Sequence, residues 1–252
     1  QHQLPIATLI YGFGHLLKKY ITSFVLAAAV LFVCLVFSWH FLSKVNFFFN
    51  RLYDLHKIES HINEFAPQNR QNRNNFEHTS KDERVRIVGE ILRTVNANGV
   101  GLKTIQYFNT DGVPINLFLT LEEVDHLEDV SVLVQLMNNL AFIFIIILII
   151  ITLMTWRYKR APPSLLMLIC SMASFVVIIT GSIIFIGPLE VFNKLHELVF
   201  ANKSQWHFYY QDSLMTTLLK APDTFASMAA LMTAIALIFW LLIFCLTKKI
   251  LK

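Results

Sequence analysis

The chain has 252 residues, of which 55% are hydrophobic, 13% are aromatic and only 15% are charged, and its formal net charge is +4. This leaves too little polar surface for an ordinary soluble domain, which excludes the soluble classes of protein and indicates an integral membrane protein. The small positive charge does not indicate a nucleic-acid partner, and we expect none. The positions of the charged residues along the chain are more informative than their sum.

Four apolar runs are long enough to cross a hydrocarbon core of roughly 30 Å, which takes about 20 helical residues. We expect transmembrane helices at residues 21–42, 140–156, 165–186 and 226–246. Residues 43–139 and 187–225 then form two long outer segments, residues 157–164 a short turn, and residues 1–20 and 247–252 the ends. The second run is short, but residues 130–137 can extend it outward as one helix.

The first run could also belong to a cleaved secretory signal, because Lys18 and Lys19 resemble the charged start of such a signal. Its apolar stretch is longer than usual, however, and SWHFLSK follows it instead of a small-residue cleavage site. We therefore expect a retained anchor. The cysteines at positions 34, 170 and 245 all fall inside apolar runs, so we expect small apolar side chains and neither disulfides nor a nucleophile.

The first outer segment predicts a small α+β subdomain from residue 83 to about residue 129. ERVRIVGEILRTVNANG has apolar residues at helical spacing and a stop at Asn98-Gly99, so it predicts a helix. IQYFNTDGVPINLFL predicts two short strands around Asp111-Gly112. Before this subdomain, three phenylalanines at positions 47–49 suit the membrane interface, and residues 66–82 have the polar composition of a flexible connection.

Two histidines early in this segment, His56 and His61, are five residues apart, which is a poor spacing for one helical face. We expect both to be solvated and not to bind a ligand.

The stretch TLEEVDHLEDV predicts the start of a helix that runs into the second span, because Thr120 and Glu123 have the spacing of a capping box. His126 and Asp129 are three residues apart on it and therefore neighbours on one face. A carboxylate beside an imidazole orients the ring and raises its basicity, which suits acid–base catalysis. An ordinary charged turn has the same composition, so the spacing alone leaves this role open.

The second outer segment is dense in side chains that can do chemistry. They are His196, Glu197, Asn202, Trp206, Tyr210, Asp212 and Ser213. Loops between membrane helices usually contain few residues of these types, so their density here predicts a functional site. Tyr210 also suits an interfacial aromatic belt, which we favour for it, and Ser213 suits the N-cap of the helix SLMTTLL better than a nucleophile.

Basic residues precede the first span, fill the turn between the second and third, and end the chain. With four spans these segments share one side, which the positive-inside rule assigns to the cytoplasm together with both termini. Both outer segments are then extracytoplasmic. His126 lies just before the second span and His196 just after the third, so both reach the same outer interface, although the pattern leaves open whether they share a site.

Two patches of the sequence resemble the bacterial lipoprotein intramolecular transacylase family. The first consists of Glu123, His126, Leu127, Asp129 and Val130, and after the basic turn comes the second, His196, Phe200, Asn202, Trp206, Asp212, Leu214 and Pro222. The layout of four spans agrees as well. The resemblance extends over nearly the whole chain, but it is specific only in these two patches.

The resemblance implies a bacterial plasma-membrane enzyme that moves the sn-2 acyl chain of a diacylglyceryl-cysteine to the α-amine of the same cysteine. Its substrate would be a diacylated lipoprotein, its product an N-acyl, S-monoacylglyceryl (lyso) lipoprotein, and its other partners membrane lipids, with no cofactor and no metal. His126 and His196 would form the acid–base pair, in either order. The other implied roles are Asp129 orienting His126, Glu197 or Asp212 serving His196, and Asn202, Trp206 and Tyr210 donating to the oxyanion.

Two other classes of function stay open at this point. A metal-dependent lipid or lipoprotein hydrolase would use both histidines and a carboxylate, although the chain lacks the H-x-x-x-H and C-x-x-C spacings common in zinc sites. A non-enzymatic lipid-binding subunit would need neither histidine.

Overall fold

A computed structural model describes residues 6–159, 164–200 and 205–250 of the chain. Asn202 and parts of the predicted ends and turn, residues 1–5, 160–163 and 251–252, lie outside the described residues. Within the described ranges the elements are α1 (Ile6–Lys44), α2 (Phe49–Leu55), α3 (Ile58–Phe65), α4 (Lys81–Asn96), β1 (Gln106–Phe108), β2 (Pro114–Leu117), α5 (Leu121–Arg157), α6 (Leu165–Ile186), α7 (Pro188–Phe200), α8 (Leu214–Leu219) and α9 (Asp223–Ile250).

Four helices, α1, α5, α6 and α9, are long and apolar enough to cross a membrane. They contain the four predicted spans. Even the shortest of them, α6, has 22 residues and is therefore about 33 Å long, enough for a hydrocarbon core of roughly 30 Å. The predicted fold class, a helical membrane protein with a small sheet between the first and second spans and helices between the third and fourth, is confirmed.

The chain divides into two compact units, of which the first consists of α1 up to Val36, residues 141–191 and α9 from Ile235 onward. Its core forms where α1, α6 and α9 pack together, and Trp240 there donates a hydrogen bond from Nε1 to the Ala27 carbonyl at 3.0 Å. Many other apolar side chains of these helices point outward, such as Phe185, which is 91% exposed. Outward apolar side chains are what contact with lipid requires.

The second unit consists of residues 37–140 and 192–234, and it contains the predicted subdomain. Helix α4 ends at Asn96, and Asn98 and Gly99 follow it with positive φ. Strands β1 and β2 pair antiparallel, with Tyr107 opposite Asn116. The predicted helix and the predicted hairpin are both confirmed.

Two stretches of this unit pack more closely than their composition indicates. Phe47 and Phe49 are 2% and 0% exposed, so they lie inside the protein, and only Phe48 is exposed. The polar connection at residues 66–82 contains Phe76, which is fully buried and packs edge-on against Tyr107 with 5.5 Å between ring centroids. This buried ring helps to hold in place a segment that has the composition of a flexible linker.

Arg84 of α4 is fully buried and makes hydrogen bonds in several directions. Its guanidinium donates to the Tyr53 hydroxyl at 2.5 Å, to a Glu59 carboxylate oxygen at 2.6 Å, to Thr79 Oγ1 at 3.0 Å and to the Glu77 carbonyl at 2.8 Å. Burial raises the pKa of Tyr53 to about 12, so the hydroxyl stays protonated and donates a hydrogen bond to Glu59. Since a buried charge is costly unless it is paired, Arg84 holds α2, α3 and α4 in one arrangement.

Replacing Arg84 should therefore damage the second unit severely. Arg84→Ala is expected to lower the free energy of unfolding by about 3 kcal/mol, because Tyr53, Glu59 and Glu77 all lose a donor. The measurement is unfolding of the purified protein in detergent, followed by near-ultraviolet circular dichroism. The matched control on the same helix is Arg93→Ala, whose side chain is 71% exposed and which should change stability by at most about 0.5 kcal/mol. Equal losses in the two variants would contradict this role of Arg84.

Candidate active site

The candidate site lies in the second unit, on the beginning of α5, on residues 192–200 of α7 and on residues 205–213. The start of α5 is set by the predicted capping box, which the structure confirms: the Thr120 N–H donates to Glu123 Oε2 at 2.6 Å, and the Glu123 N–H donates to Thr120 Oγ1 at 3.2 Å. His126 follows one turn later. The capping box therefore sets where α5 begins and places His126 in the second turn of that helix.

Phe200 brings the two predicted acid–base histidines together. Its ring centroid lies 5.1 Å from that of His126 and 5.7 Å from that of His196. His196 reaches Phe200 because the two are four residues apart on α7, whereas His126 comes from α5. The two imidazoles are also close enough to interact electrostatically. The structure thus places residues that are far apart in sequence in one cluster.

The backbone orients the His196 ring. Its Nδ1 lies 3.0 Å from the Phe192 carbonyl oxygen, and because a carbonyl can only accept, Nδ1 carries the hydrogen. The lone pair of the neutral ring is then on Nε2. The rings of Phe192 and Trp206 flank the imidazole, at centroid distances of 3.9 Å and 5.0 Å. Glu197, which comes next on the helix, is exposed.

His126 is 9% exposed and also contacts the ring of Phe208, at 6.0 Å between centroids. Its Nδ1 is buried and has no hydrogen-bond partner among the described residues. Asp129 lies close enough to interact with the imidazole electrostatically, but it is not bonded to Nδ1. This ring nitrogen is therefore not engaged by the part of the protein that the structure describes.

Ser213 is fully buried and caps α8, as predicted. Its Oγ accepts a hydrogen bond from the Thr216 N–H at 2.8 Å, and its hydroxyl donates to Glu123 Oε1. The sequence did not predict this contact with Glu123, because the two residues are 90 positions apart and each already fits a local capping pattern.

Tyr210 has its hydroxyl hydrogen engaged within the protein, since it donates to the Ala221 carbonyl at 2.5 Å. Burial raises the pKa of Tyr210, and the charge of Asp223 adds to this effect. Its ring packs against His61 and Phe65, at centroid distances of 4.4 Å and 4.9 Å. His61 is only 8% exposed, so the expectation that it is solvated is wrong.

Asp212 forms an ion pair with Arg70 of the first outer segment. Arg70 donates from Nε to Oδ1 at 2.8 Å and from a terminal nitrogen to Oδ2 at 2.5 Å, and its backbone N–H donates to the Gln211 carbonyl at 2.7 Å. The Arg70 side chain is 62% exposed, and pairs at such sites contribute about 1 kcal/mol or less. The pair joins the two outer segments at the protein surface.

No group of three or more histidine, cysteine, aspartate or glutamate side chains within the described ranges is arranged to hold a metal ion. The groups that converge in this part of the chain are two imidazoles, the aromatic rings around them and one buried carboxylate.

Comparison with known proteins identifies one family. The model of the family described as "Lipoprotein intramolecular transacylase Lit" matches residues 21–225, a range that includes both histidines and both motif patches. No curated protein and no solved structure matches the chain significantly.

The burial of His61 predicts a dependence of stability on pH. Burial lowers the pKa of His61, the charge of Lys220 lowers it further, and the carboxylates of Glu64 and Asp223 act in the opposite sense. The pKa in the folded state is thus below the unfolded value of about 6.5, so neutral His61 stabilises the fold fully above that pH. This contribution is lost as the pH falls from about 6.5 through the lower folded pKa.

His61→Leu should therefore flatten the decline in melting temperature between about pH 7.5 and pH 5. His78→Leu is the control, because the His78 side chain is 74% exposed. If both variants showed the wild-type decline, His61 would not be the group responsible.

Proposed function

Since the chain belongs to the lipoprotein intramolecular transacylase family, we propose that it moves the sn-2 acyl chain of a diacylglyceryl-cysteine to the α-amine of the same cysteine. The substrate is a diacylated lipoprotein, and the product is its N-acyl, S-monoacylglyceryl form. The observation that carries this proposal is the pairing of His126 and His196 around Phe200. Two imidazoles in one cluster provide a base and an acid for the same reaction.

The reaction needs a base because an α-amine has a pKa of about 8 and is mostly protonated at neutral pH. An ammonium group has no lone pair with which to attack an ester. A neutral imidazole is suited to removing its proton, and general acid–base catalysis of this kind contributes roughly 10²- to 10⁴-fold in rate.

We assign the base to His126, whose buried Nδ1 lacks a partner among the described residues. Burial, and after it the charge of His196, lower the pKa of His126 to about 4, so the ring is neutral before the reaction and can accept a proton. The carboxylate of Asp129 acts in the opposite sense and raises the basicity of the ring.

We assign the acid to His196. Its Nδ1 donates to the Phe192 carbonyl, which keeps the ring in one orientation, and Nε2 of the protonated ring carries the hydrogen that the departing glycerol oxygen takes.

The proposed step balances without a cofactor. Starting from the neutral amine, the nitrogen forms a bond to the ester carbonyl carbon and gives one proton to His126, the bond between that carbon and the glycerol oxygen breaks, and the oxygen takes one proton from the protonated ring of His196. An ester becomes an amide and a free hydroxyl, and the total mass of the lipopeptide is unchanged. Because both reacting groups belong to one molecule, holding them in contact removes much of the entropic barrier.

We propose Trp206 as a hydrogen-bond donor to the oxyanion, because its ring lies against that of His196 and its indole carries an N–H group. Asn202 is proposed for the same role from the sequence. Tyr210 and Asp212 are left out, because the first donates to Ala221 and the second pairs with Arg70. Glu197 is left out as well, because it is exposed.

The family and the four apolar helices make the chain a bacterial membrane protein. We further propose that both termini are cytoplasmic and that the site faces the extracytoplasmic side. Lys18 and Lys19, the basic turn that begins at Arg157, and the lysines that end the chain support this orientation under the positive-inside rule.

Mass spectrometry of a lipopeptide tests this proposal. A lipoprotein is made in a host without its own N-acylating enzymes, with and without this protein, and its N-terminal tryptic lipopeptide is fragmented. One acyl chain should move from glycerol to the amine at unchanged total mass. His126→Ala and His196→Ala should each reduce the transfer roughly 10²- to 10⁴-fold, with much less than a multiplicative loss in the double variant.

His78→Ala is the control, because that side chain is 74% exposed. Loss of an acyl chain would instead identify a hydrolase. An unaltered diacyl peptide in the presence of correctly inserted protein would favour a lipid-binding subunit.

A further inference from the structure

A buried hydrogen bond joins the two chain segments that hold the histidine cluster. Glu123 and Ser213 are both fully buried, and the Ser213 hydroxyl donates to Glu123 Oε1. The other carboxylate oxygen accepts the Thr120 N–H, so both oxygens of Glu123 are engaged. The carboxylate is therefore held firmly at the start of α5.

Each end of this hydrogen bond leads directly to the histidines. Glu123 lies one turn before His126 on α5. Ser213 ends the stretch of residues 205–213, in which Trp206 contacts His196 and Phe208 contacts His126. Any displacement of this stretch relative to α5 would change the surroundings of both imidazoles.

We propose that Glu123 is a positioning residue for the acyl transfer, acting through Ser213. The hydrogen bond fixes residues 205–213 against the start of α5, so that Trp206 and Phe208 hold the two imidazoles at the distance the reaction needs. This inference rests on the proposed function. Glu123 transfers no proton in it and touches no reacting atom.

The adjacent contact, between Asp212 and Arg70, is a weaker candidate for holding residues 205–213 in position. Its arginine is 62% exposed, so water competes for the charged groups and screens them. Glu123 and Ser213 are shielded from water, and loss of Ser213 leaves Glu123 Oε1 without the partner it has in this buried place.

The chemistry of the hydrogen bond distinguishes positioning from proton transfer. In Glu123→Gln the amide oxygen can accept the Thr120 N–H while the amide NH₂ donates to Ser213 Oγ. The Ser213 hydrogen can then turn to Thr216 Oγ1, which lies 2.9 Å away. Glutamine thus keeps the link with its direction reversed, whereas it cannot act as a base.

The experiment measures kcat and KM of the purified, lipid-reconstituted protein on a synthetic diacylated lipopeptide, well below the melting temperature of every variant. Ser213→Ala and Glu123→Ala should lower kcat about 10- to 100-fold, because small displacements of catalytic groups cost rates of this order, while KM stays within about twofold. The double variant should fall no further than Glu123→Ala, and Glu123→Gln should keep kcat within about threefold of wild type. Glu122→Ala, an exposed carboxylate in the same turn, is the control and should leave kcat unchanged.

Three results would overturn the proposal: wild-type kcat in Ser213→Ala, losses that multiply in the double variant, or a loss in Glu123→Gln as large as in Glu123→Ala. The last would make the carboxylate itself a proton carrier. If Glu123→Ala does not fold, Ser213→Ala and Glu123→Gln still decide the question. Wild-type protein that yields no N-acyl product would instead refute the proposed function, and this inference with it.

Discussion

The second unit depends on one physical requirement, that a charged or hydrogen-bonding side chain removed from water must find partners. Two fully buried ionisable side chains meet it, and each draws its partners from separate parts of the chain. Arg84 binds Tyr53, Glu59 and the turn before α4. Glu123 binds the backbone of Thr120 and the hydroxyl of Ser213. Because neither side chain can be satisfied unless those parts are in place, these two residues select one arrangement of the subdomain and of the segment that carries the site.

Hydrogen bonding inside the protein also explains which polar groups near the histidines are left for chemistry. Tyr210, Ser213 and Asp212 each have a protein partner, whereas Nδ1 of His126 has none in the part of the chain that the structure describes. His196 is intermediate, because one of its nitrogens is held by a backbone carbonyl and the other is directed away from that bond. A list of polar residues in a loop cannot make this distinction, since it depends on partners and not on residue type.

The features that were correctly predicted from the sequence are those whose cause is local. The spans follow from apolar length, and the capping box from two residues three apart. The burial of His61 and the contact between Glu123 and Ser213 were not predicted, because they depend on residues 90 or more positions away in the sequence. For Glu123 the local pattern conceals the distant contact, because a capping box already accounts for a glutamate at that position. The two histidines were linked only through the predicted topology, and the structure supplied Phe200 as their common contact.

The proposed chemistry makes positioning more important than nucleophilic power. A transfer within one molecule needs no covalent intermediate on the enzyme, and Ser213 is poorly placed to form one, since its hydroxyl already donates to Glu123 and accepts from Thr216. The competing reaction is attack by water, which would release the acyl chain. The rings of Phe192, Phe200, Trp206 and Phe208 place apolar surface beside the two imidazoles. An apolar surface offers a water molecule no hydrogen-bond partner that would hold it for attack, so in the proposed chemistry the contacts that hold the histidines also favour transfer over hydrolysis.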